Sequence, residues 1–219
     1  MDSLNKLPDK YCMIVPSKKV EGLYGAQSTS SGGIVGFDYP PKTCIGLAYY
    51  GSLLTRTFYS DQIHFPTNRF DFISTLPGGH DANNAALQKE VKKIFGVVGK
   101  TEIRPMDVMA LRVKTPNAVA GLKINNYTSG NPDLVHYEQG KYLYRFTMKQ
   151  LGSVIEYGTW FPVMDETGLT NRYDFDLEYT KEDMESRNWE KINTVLDKIG
   201  LELVPTNMPL EVLVVEKAK

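Results

Sequence analysis

The feature of this sequence that most constrains its fold is an internal repeat. Residues 68–72 read Asn-Arg-Phe-Asp-Phe, and residues 171–175, displaced by 103 positions, read Asn-Arg-Tyr-Asp-Phe. At the same displacement, the largely apolar run at residues 107–114 aligns with the run at residues 210–217. Because self-similarity at a fixed displacement marks a repeated structural unit, the sequence predicts two related units.

Between the two anchors, each copy carries a helical pattern that ends at a glycine. The first helix is predicted over residues 83–95, before Gly96, and the second over residues 186–199, before Gly200. Glycine is the residue that most often follows a helix, since it adopts left-handed backbone without strain. The two copies therefore share a helix as well as their anchors.

Further elements are predicted around the anchors in each copy. The first copy is expected to hold a strand over residues 11–15, a hairpin turn at Gly32 and Gly33, a helix after Pro41 and a strand over residues 62–66. The second is expected to hold a hairpin turn at Gln139 and Gly140, a helix capped by Thr147 and a strand near residues 161–164. Proline is disfavoured inside strands, so the closing strand pairs are predicted to break near Pro105, Pro205 and Pro209.

Interleaved helices and antiparallel strands predict an α+β protein of two duplicated units, each a small antiparallel or mixed sheet with helices on one face. We expect a first unit over residues 1–116, a linker over residues 117–132 rich in Gly, Asn and Ser, and a second unit over residues 133–219. The branched apolar residues of the closing strands suit the centre of a sheet.

The charge balance excludes several classes of function. Lys plus Arg number 25 and Asp plus Glu number 26, whereas a nucleic-acid-binding surface or an electrostatic membrane anchor would be basic. No apolar run approaches the roughly 20 residues that cross a bilayer. Residues 1–10 lack the apolar core of a signal peptide. The chain is therefore expected to be cytoplasmic, or exported with its leader removed.

The histidines offer little catalytic potential. His64 and His136 belong to different halves, and no established catalytic or phosphate-binding motif is present. His80 lies in Gly-Gly-His-Asp, which either presents an imidazole beside the carboxylate of Asp81 or forms a loop that leads into a helix capped by Asp81 or Asn83. We expect no catalytic residue, no metal and no cofactor.

Three carboxylates alternate along the second anchor strand. Asp174, Asp176 and Glu178 are expected on one strand face, because side chains alternate with a period of two. They form either a solvated face or a calcium site. The first copy repeats only one of them, as Asp71, so a metal site shared by the copies is not supported.

An arginine and an aspartate flank an aromatic residue in both anchors. The pairs are Arg69 with Asp71 and Arg172 with Asp174. We expect a structural ion pair or turn contact that fixes each unit.

The aromatic residues and the two cysteines leave alternatives open. Cys12 and Cys44 are either two buried thiols or a disulfide, and the disulfide requires export. Most aromatics should lie in the core, but an exposed set could bind a sugar or a protein. The candidate binding residues are Tyr49, Tyr50, Tyr59 and Trp160.

Two C-terminal motifs resemble a known family. Residues 165–177 read Asp-Glu-Thr-Gly-Leu-Thr-Asn-Arg-Tyr-Asp-Phe-Asp-Leu and are similar to the pattern D-x-T-G-L-x-G-R-Y-D-F-x-L, with Asn171 in place of its second glycine. Residues 209–216 resemble the terminal pattern P-V-E-V-L-V-I-D. Both belong to a large bacterial family of unknown function, often called the soil-associated family. The first half fits more loosely.

The resemblance implies export to the periplasm or cell surface and supplies no catalytic residues. A helix followed by two strands also resembles the small N-terminal domains of secretins and TonB-dependent receptors, which bind proteins. The expectation is an exported, non-catalytic binding or protein-interaction module whose partner is another envelope protein. A carbohydrate or small-ligand binder is the alternative, followed by a hydrolase. Neither nucleic-acid binding nor membrane insertion is expected.

Overall fold

A computed structural model describes residues 11–18, 25–28, 33–50, 54–125, 132–137 and 140–219. The predicted turn residues Gly32 and Gln139, and residues 126–131 of the predicted linker, lie outside these ranges.

The described residues form strands and helices in alternation along the chain. The strands are β1 (Cys12–Pro16), β2 (Gly25–Ser28), β3 (Ile34–Tyr39), β4 (Thr57–Tyr59), β5 (Phe70–Ser74), β6 (Val97–Val113), β7 (Asp133–Tyr137), β8 (Gly140–Phe146), β9 (Val163–Asp165), β10 (Tyr173–Leu177) and β11 (Leu201–Lys217). The helices are α1 (Pro41–Tyr50), α2 (Gly79–Phe95), α3 (Pro116–Ala120), α4 (Met148–Thr159), α5 (Lys181–Glu185) and α6 (Trp189–Asp197).

These strands build three small sheets. The first has the antiparallel order β1-β5-β3-β2, and the second has the antiparallel order β10-β8-β7. In the third, of order β4-β11-β6-β9, β4 runs parallel to β11 and β9 runs parallel to β6. Helices combined with antiparallel and mixed sheets confirm the α+β class. As expected from their branched residues, β6 and β11 are the central strands of their sheet.

The chain divides into two compact units, and each has its own apolar core. The first unit comprises Met1–Ile103 with Glu211–Lys219, and the second comprises Arg104–Leu210. The first core includes Ile45, Phe72 and Val91, and the second includes Leu151, Phe175 and Ile192. The order strand-helix-strand-strand-helix-strand occurs twice, from β3 to β6 and from β8 to β11, if α5 and a short 3-10 helix at Leu54–Arg56 are set aside. Duplication and the domain boundaries at residues 116 and 133 stay predictions.

Several local expectations are confirmed. α1 begins at Pro41, and Thr147 caps α4. Gly96 ends α2 and adopts left-handed backbone, with φ of 64°. Gly200 is also left-handed, with φ of 75°, but it lies three residues beyond Asp197, where α6 ends.

The strand predicted over residues 62–66 is wrong, because the sheet strand there is β4, which ends before that segment. Ile63 and Phe65 are half-buried against the first core while their neighbours Gln62, His64 and Pro66 are exposed. The alternation of buried and exposed residues is therefore real, but it belongs to an irregular segment.

The predicted breaks at the prolines are also wrong. β6 continues through Pro105, and β11 continues through Pro205 and Pro209. The outer strands of that sheet pair only with Met109–Leu111 of β6 and Leu213–Val215 of β11, away from the prolines. The prolines therefore remove no hydrogen bond to either outer strand.

The helix predicted over residues 186–199 begins later, at Trp189. Arg187 has left-handed backbone, with φ of 54°, which separates α5 from α6. Asn188 then caps α6, since its side-chain oxygen accepts a hydrogen bond from the N–H of Lys191 at 3.2 Å.

Candidate functional site

Two neighbouring aromatic side chains are exposed at the C-terminal end of α4. Tyr157 is 70% exposed and Trp160, the next residue after the helix, is 51% exposed. Their ring centroids lie 5.8 Å apart and their planes meet at 34°. Aromatic side chains usually bury most of their surface in a core, so an exposed pair in mutual contact is a candidate binding surface.

The opposite face of α4 anchors the helix in the second core. Leu151, Ile155 and Thr159 are buried. At the start of the helix, the N–H of Gln150 donates to Thr147 Oγ1 at 3.2 Å, and the N–H of Thr147 donates to Gln150 Oε1 at 2.9 Å. This reciprocal capping box satisfies two backbone donors and fixes the first turn.

The exposed face of α4 forms a line of four side chains, here named the α4 stripe. It contains Lys149, Ser153, Tyr157 and Trp160, all exposed. Spacings of four residues place Lys149, Ser153 and Tyr157 on one helix face, and the ring of Trp160, just beyond the helix, contacts the ring of Tyr157. The Ser153 hydroxyl donates to the carbonyl oxygen of Lys149 at 3.0 Å. The stripe is thus polar in its N-terminal half and aromatic in its C-terminal half.

Arg187 holds the end of the stripe in place. Its Nε donates to the carbonyl oxygen of Thr159 at 3.0 Å, and its Nη2 donates to that of Trp160 at 3.2 Å. The guanidinium carbon lies 5.4 Å from the ring centroid of Phe161, and Phe161 meets Trp189 edge-on at 5.7 Å. Arg187 and the Phe161–Trp189 pair therefore support the exposed pair of Tyr157 and Trp160.

Trp160 occupies strained backbone. Its φ is 51° and its ψ is 37°, in the left-handed region. That region costs a non-glycine residue about 1–2 kcal/mol and persists only where the surroundings enforce it. Here the Arg187 bonds to consecutive carbonyls do so, and they fix the direction in which the indole ring leaves the helix.

The other predicted binding residues lie in the first unit. Tyr49 is half-buried against the first core, and the side chain of Tyr50 lies outside the described residues. Tyr59 donates from its hydroxyl to the carbonyl oxygen of Lys42 at 3.2 Å and meets Phe65 edge-on at 5.5 Å. Burial raises the pKa of Tyr59. Among the predicted binding residues whose side chains are described, Trp160 is exposed, whereas Tyr49 and Tyr59 are half-buried.

Sequence reasoning missed Tyr157, although a signal for it exists. Tyr157 precedes Trp160 by three residues, and the apolar positions of the predicted helix include Leu151 and Ile155. Helical geometry places Tyr157 on the face opposite those positions and beside Trp160. The pair follows from the pattern once the helix is extended to Thr159.

The first anchor motif clamps a left-handed residue at the end of β3. Asp38 has φ of 56°, and its carbonyl oxygen accepts a hydrogen bond from Arg69 Nε at 2.8 Å, with Nη2 bound to the same oxygen. Asp71 Oδ1 accepts from the N–H of Asp38 at 2.9 Å. The Arg and Asp of one motif thus bind the two ends of one residue.

The second anchor motif makes the same contacts at the end of β8. Arg145 has φ of 61°. Its carbonyl oxygen accepts from Arg172 Nη1 at 2.9 Å, and its N–H donates to Asp174 Oδ1 at 3.0 Å. Asp174 also accepts from Asn125 Nδ2 at 3.0 Å and meets Lys123 Nζ at 2.8 Å. In both units these contacts fix the passage from a strand into the helix that follows.

Asp174 is buried, so it does not form with Asp176 and Glu178 the solvated face that was one of the two predicted alternatives. The pairing of β10 with β8 shifts register between Tyr173 and Phe175, which interrupts the alternation. Burial alone would raise the pKa of Asp174, but the hydrogen bonds that it accepts outweigh burial and lower it. Asp176 and Glu178 are exposed, and Glu178 pairs with Lys198 at 2.7 Å.

The Gly-Gly-His-Asp segment leads into a helix, with His80 exposed in the first turn of α2. Neither Asp81 nor Asn83 is the cap, since α2 begins after Gly78. Asn83 is buried within the helix, where its Nδ2 donates to the carbonyl oxygen of Leu76 at 2.9 Å and its Oδ1 accepts from the Leu76 N–H at 2.7 Å. His64 is also exposed.

Both cysteines are free thiols in the structure. Cys44 is buried in the first core and Cys12 packs at its edge. Burial raises the pKa of Cys12, and raises that of Cys44 to about 12. A disulfide between them in an oxidising compartment stays a prediction.

The described residues contain no group of three His, Cys, Asp or Glu side chains placed to hold a metal ion. Within the same ranges, no helix combines the length and the apolar character needed to cross a membrane.

The fold and the site define an α+β protein of two compact units with an exposed aromatic pair on the second. Residues 54–218, about three quarters of the chain, match the family described as protein of unknown function (DUF3738). The chain belongs to that family, which confirms the resemblance to a family of unknown function. No curated protein and no solved structure matches the chain.

Proposed function

We propose that this protein is an exported, non-catalytic binding module that binds its partner through Tyr157 and Trp160. The exposed pair is the observation that carries the proposal. Stability does not explain either residue. Glycine at position 160 would remove the backbone strain, and a polar side chain at position 157 would remove the exposed apolar surface. Strained backbone that presents a bulky exposed side chain is typical of functional sites.

The buried polar groups favour binding over catalysis, because the structure uses them to hold its own backbone. Asp174 binds the N–H of Arg145, and Asn83 binds both backbone groups of Leu76. The buried carboxylate of Glu156 accepts from the N–H of Val163 at 3.1 Å. Such contacts stabilise a fold.

Export is supported by the family resemblance of the C-terminal motifs. An exported binding module would meet its partner in the periplasm or at the cell surface, where another envelope protein or a glycan is available. The exposed tyrosine and tryptophan suit either, since these residue types are enriched at binding hot spots.

The test is affinity capture from an envelope extract with three immobilised proteins. They are the wild type, the double variant Tyr157→Gln/Trp160→Asn, and Phe58→Thr, which removes a partly exposed aromatic from β4. Asparagine is chosen at position 160 because it tolerates left-handed backbone. Circular dichroism and urea unfolding verify that all three are folded.

We expect material that the wild type and Phe58→Thr retain and that the double variant does not. Mass spectrometry and glycan analysis of that material identify its chemistry. Equal retention by all three proteins would contradict the proposal, because the aromatic pair would then contribute nothing to binding.

A further inference from the structure

We infer that the two halves of the chain, residues 1–125 and residues 132–219, are each other's binding partner and are joined by a reciprocal exchange of strands. β6 belongs to the first half and β11 to the second, and each supplies residues to the core that the other half mainly builds. The halves therefore stay bound to each other when the backbone between them is cut. This association goes beyond the proposed binding function and does not depend on it.

The first unit is completed by a strand of the second half. There β4 pairs in parallel with Leu213–Val215 of β11, and the N–H of Ser60 donates to the carbonyl oxygen at the end of that range at 3.0 Å. The first and last side chains of Leu213–Val215 are buried in the first core, whose other buried members come from residues 14–97. The first half therefore does not contain the whole of the first core.

The first half is shaped to receive a large aliphatic side chain at this place. A Cβ at position 99 would lie 2.8 Å from Leu213 Cδ1 and 2.9 Å from Tyr49 Cε1, so only glycine lets these two side chains lie as they do. Close by, Lys100 Nζ meets the carboxylate of Glu216 at 3.0 Å. A shaped apolar contact and an ion pair thus both join the halves within the first unit.

The second unit is completed by a strand of the first half in the same way. There β9 pairs in parallel with Met109–Leu111 of β6. The N–H of Glu166 donates to the carbonyl oxygen of Leu111 at 2.9 Å, which matches the bond from Ser60 in the first unit. The end residues of Met109–Leu111 are buried in the second core with Val119, and the other buried members of that core come from residues 143–203.

These matching contacts mean that neither half can close its own core. Without β11, the first half would expose apolar surface and lose the strand that pairs with β4; without β6, the second half would lose the strand that pairs with β9. Burial of apolar surface is the main driving force of folding. In an exchange of strands, the contacts that would close a single unit become contacts between two pieces of chain. Each half is therefore complementary to the other.

The first test cuts the full, folded chain. A specific protease site is inserted after Gly130, and the cleaved protein is passed over a size-exclusion column in native buffer. We expect the two fragments to elute together and to separate only in urea. The variants Leu111→Ala and Leu213→Ala should weaken their association at least about tenfold, measured by dilution, because each empties a buried contact between the halves. Ile94→Thr, an exposed position on α2, should leave it unchanged.

The second test uses pairs of introduced cysteines in the same cleavable chain, under mild oxidation. Phe58→Cys/Val214→Cys and Ala110→Cys/Met164→Cys place thiols at directly paired positions of the exchanged strands. Each should join the two fragments on a denaturing, non-reducing gel. The matched controls, Phe58→Cys/Ala110→Cys and Met164→Cys/Val214→Cys, put both thiols in one half and would form bonds only if each half closed on itself. Mass spectrometry of the joined peptides separates these bonds from any formed by the native cysteines.

The two tests together decide the matter. The exchange stands only if the wild-type fragments elute together and at least one exchanged pair joins them. Fragments that separate in native buffer overturn it, because each half would then be stable alone. Fragments that elute together but form bonds only in the control variants also overturn it, since surface contact between self-contained halves would then hold them.

Discussion

At the scale of single residues, arginine side chains hold left-handed backbone in place. Three non-glycine residues with positive φ share this arrangement, in which the carbonyl oxygen accepts a hydrogen bond from a guanidinium. The acceptor and donor pairs are Asp38 with Arg69, Arg145 with Arg172, and Trp160 with Arg187. The planar fork of arginine donates in fixed directions, so it stabilises a conformation that would otherwise cost energy.

Substitution Asp174→Asn should lower the free energy of unfolding by about 2 kcal/mol at pH 7, because it weakens charge-assisted hydrogen bonds to a buried group. The contribution should depend on pH. The pKa of Asp174 is lowered in the folded state, so its stabilisation is present above the unfolded pKa of about 3.9 and disappears as the pH falls through the folded pKa. Urea unfolding at several pH values measures the difference between wild type and variant.

The matched control is Asp176→Asn, which changes an exposed carboxylate on the same strand. Its effect should stay within about 0.5 kcal/mol. A difference between wild type and Asp174→Asn that does not shrink below pH 4 would show that the carboxylate charge is not what stabilises the clamp.

At the scale of elements, the sequence predicts what local chemistry determines. The capping threonine of α4, the proline that begins α1 and the glycines that end helices act within a few residues, so their positions were predictable. Strand pairing was less predictable from the sequence. Ile63 and Phe65 alternate with polar residues as a strand would, but whether a neighbouring strand is available depends on distant parts of the chain.

In the candidate site, too, the features set by local sequence were predictable and those set by distant contacts were not. The helical spacing of Tyr157 and Trp160 was available from the sequence once α4 was placed. The contact that fixes Trp160 was not, because Arg187 lies 27 positions away and its own left-handed backbone interrupts a segment predicted as helix. Residue patterns predict which faces are apolar, whereas the contacts that enforce strain come from tertiary structure.

Gly96, which ends α2, and Gly200, which follows α6, should differ in their tolerance of a side chain. Gly96→Ala adds a Cβ that would meet no atom within 4 Å, so it should cost about 1 kcal/mol from left-handed strain. At Gly200 a Cβ would lie 2.8 Å from the carbonyl oxygen of Thr115 and 2.9 Å from the nitrogen of Val119. Gly200→Ala should therefore cost about 2 kcal/mol more than Gly96→Ala, because backbone must move.

Urea unfolding of the two single variants measures this difference directly. Gly168→Ala serves as a further reference, since Gly168 also has positive φ and open space around its Cβ position. Equal losses at Gly96 and Gly200 would mean that α3 does not approach Gly200 as closely as the structure has it.

At the scale of the whole molecule, the two compact units do not each use one continuous stretch of chain. The first unit takes its last residues, Glu211–Lys219, from the C-terminus, and the second takes Arg104–Leu210. β11 therefore contributes Leu203 to the second core and Leu213 to the first. The repeat suggested a simpler division, in which all of residues 133–219 belong to the second unit.

A matched pair of substitutions on β11 distinguishes these two divisions. Leu203→Ala and Leu213→Ala remove the same atoms from fully buried positions, so each should cost about 2–5 kcal/mol. If the compact units are the cooperative ones, Leu213→Ala should lower amide exchange protection mainly in β5 and α2, and Leu203→Ala mainly in β10 and α6. Native-state hydrogen exchange with mass spectrometry measures both. Protection lost only from residues 133–219 in both variants would favour the sequence-based boundaries, and equal loss in both units would contradict either division.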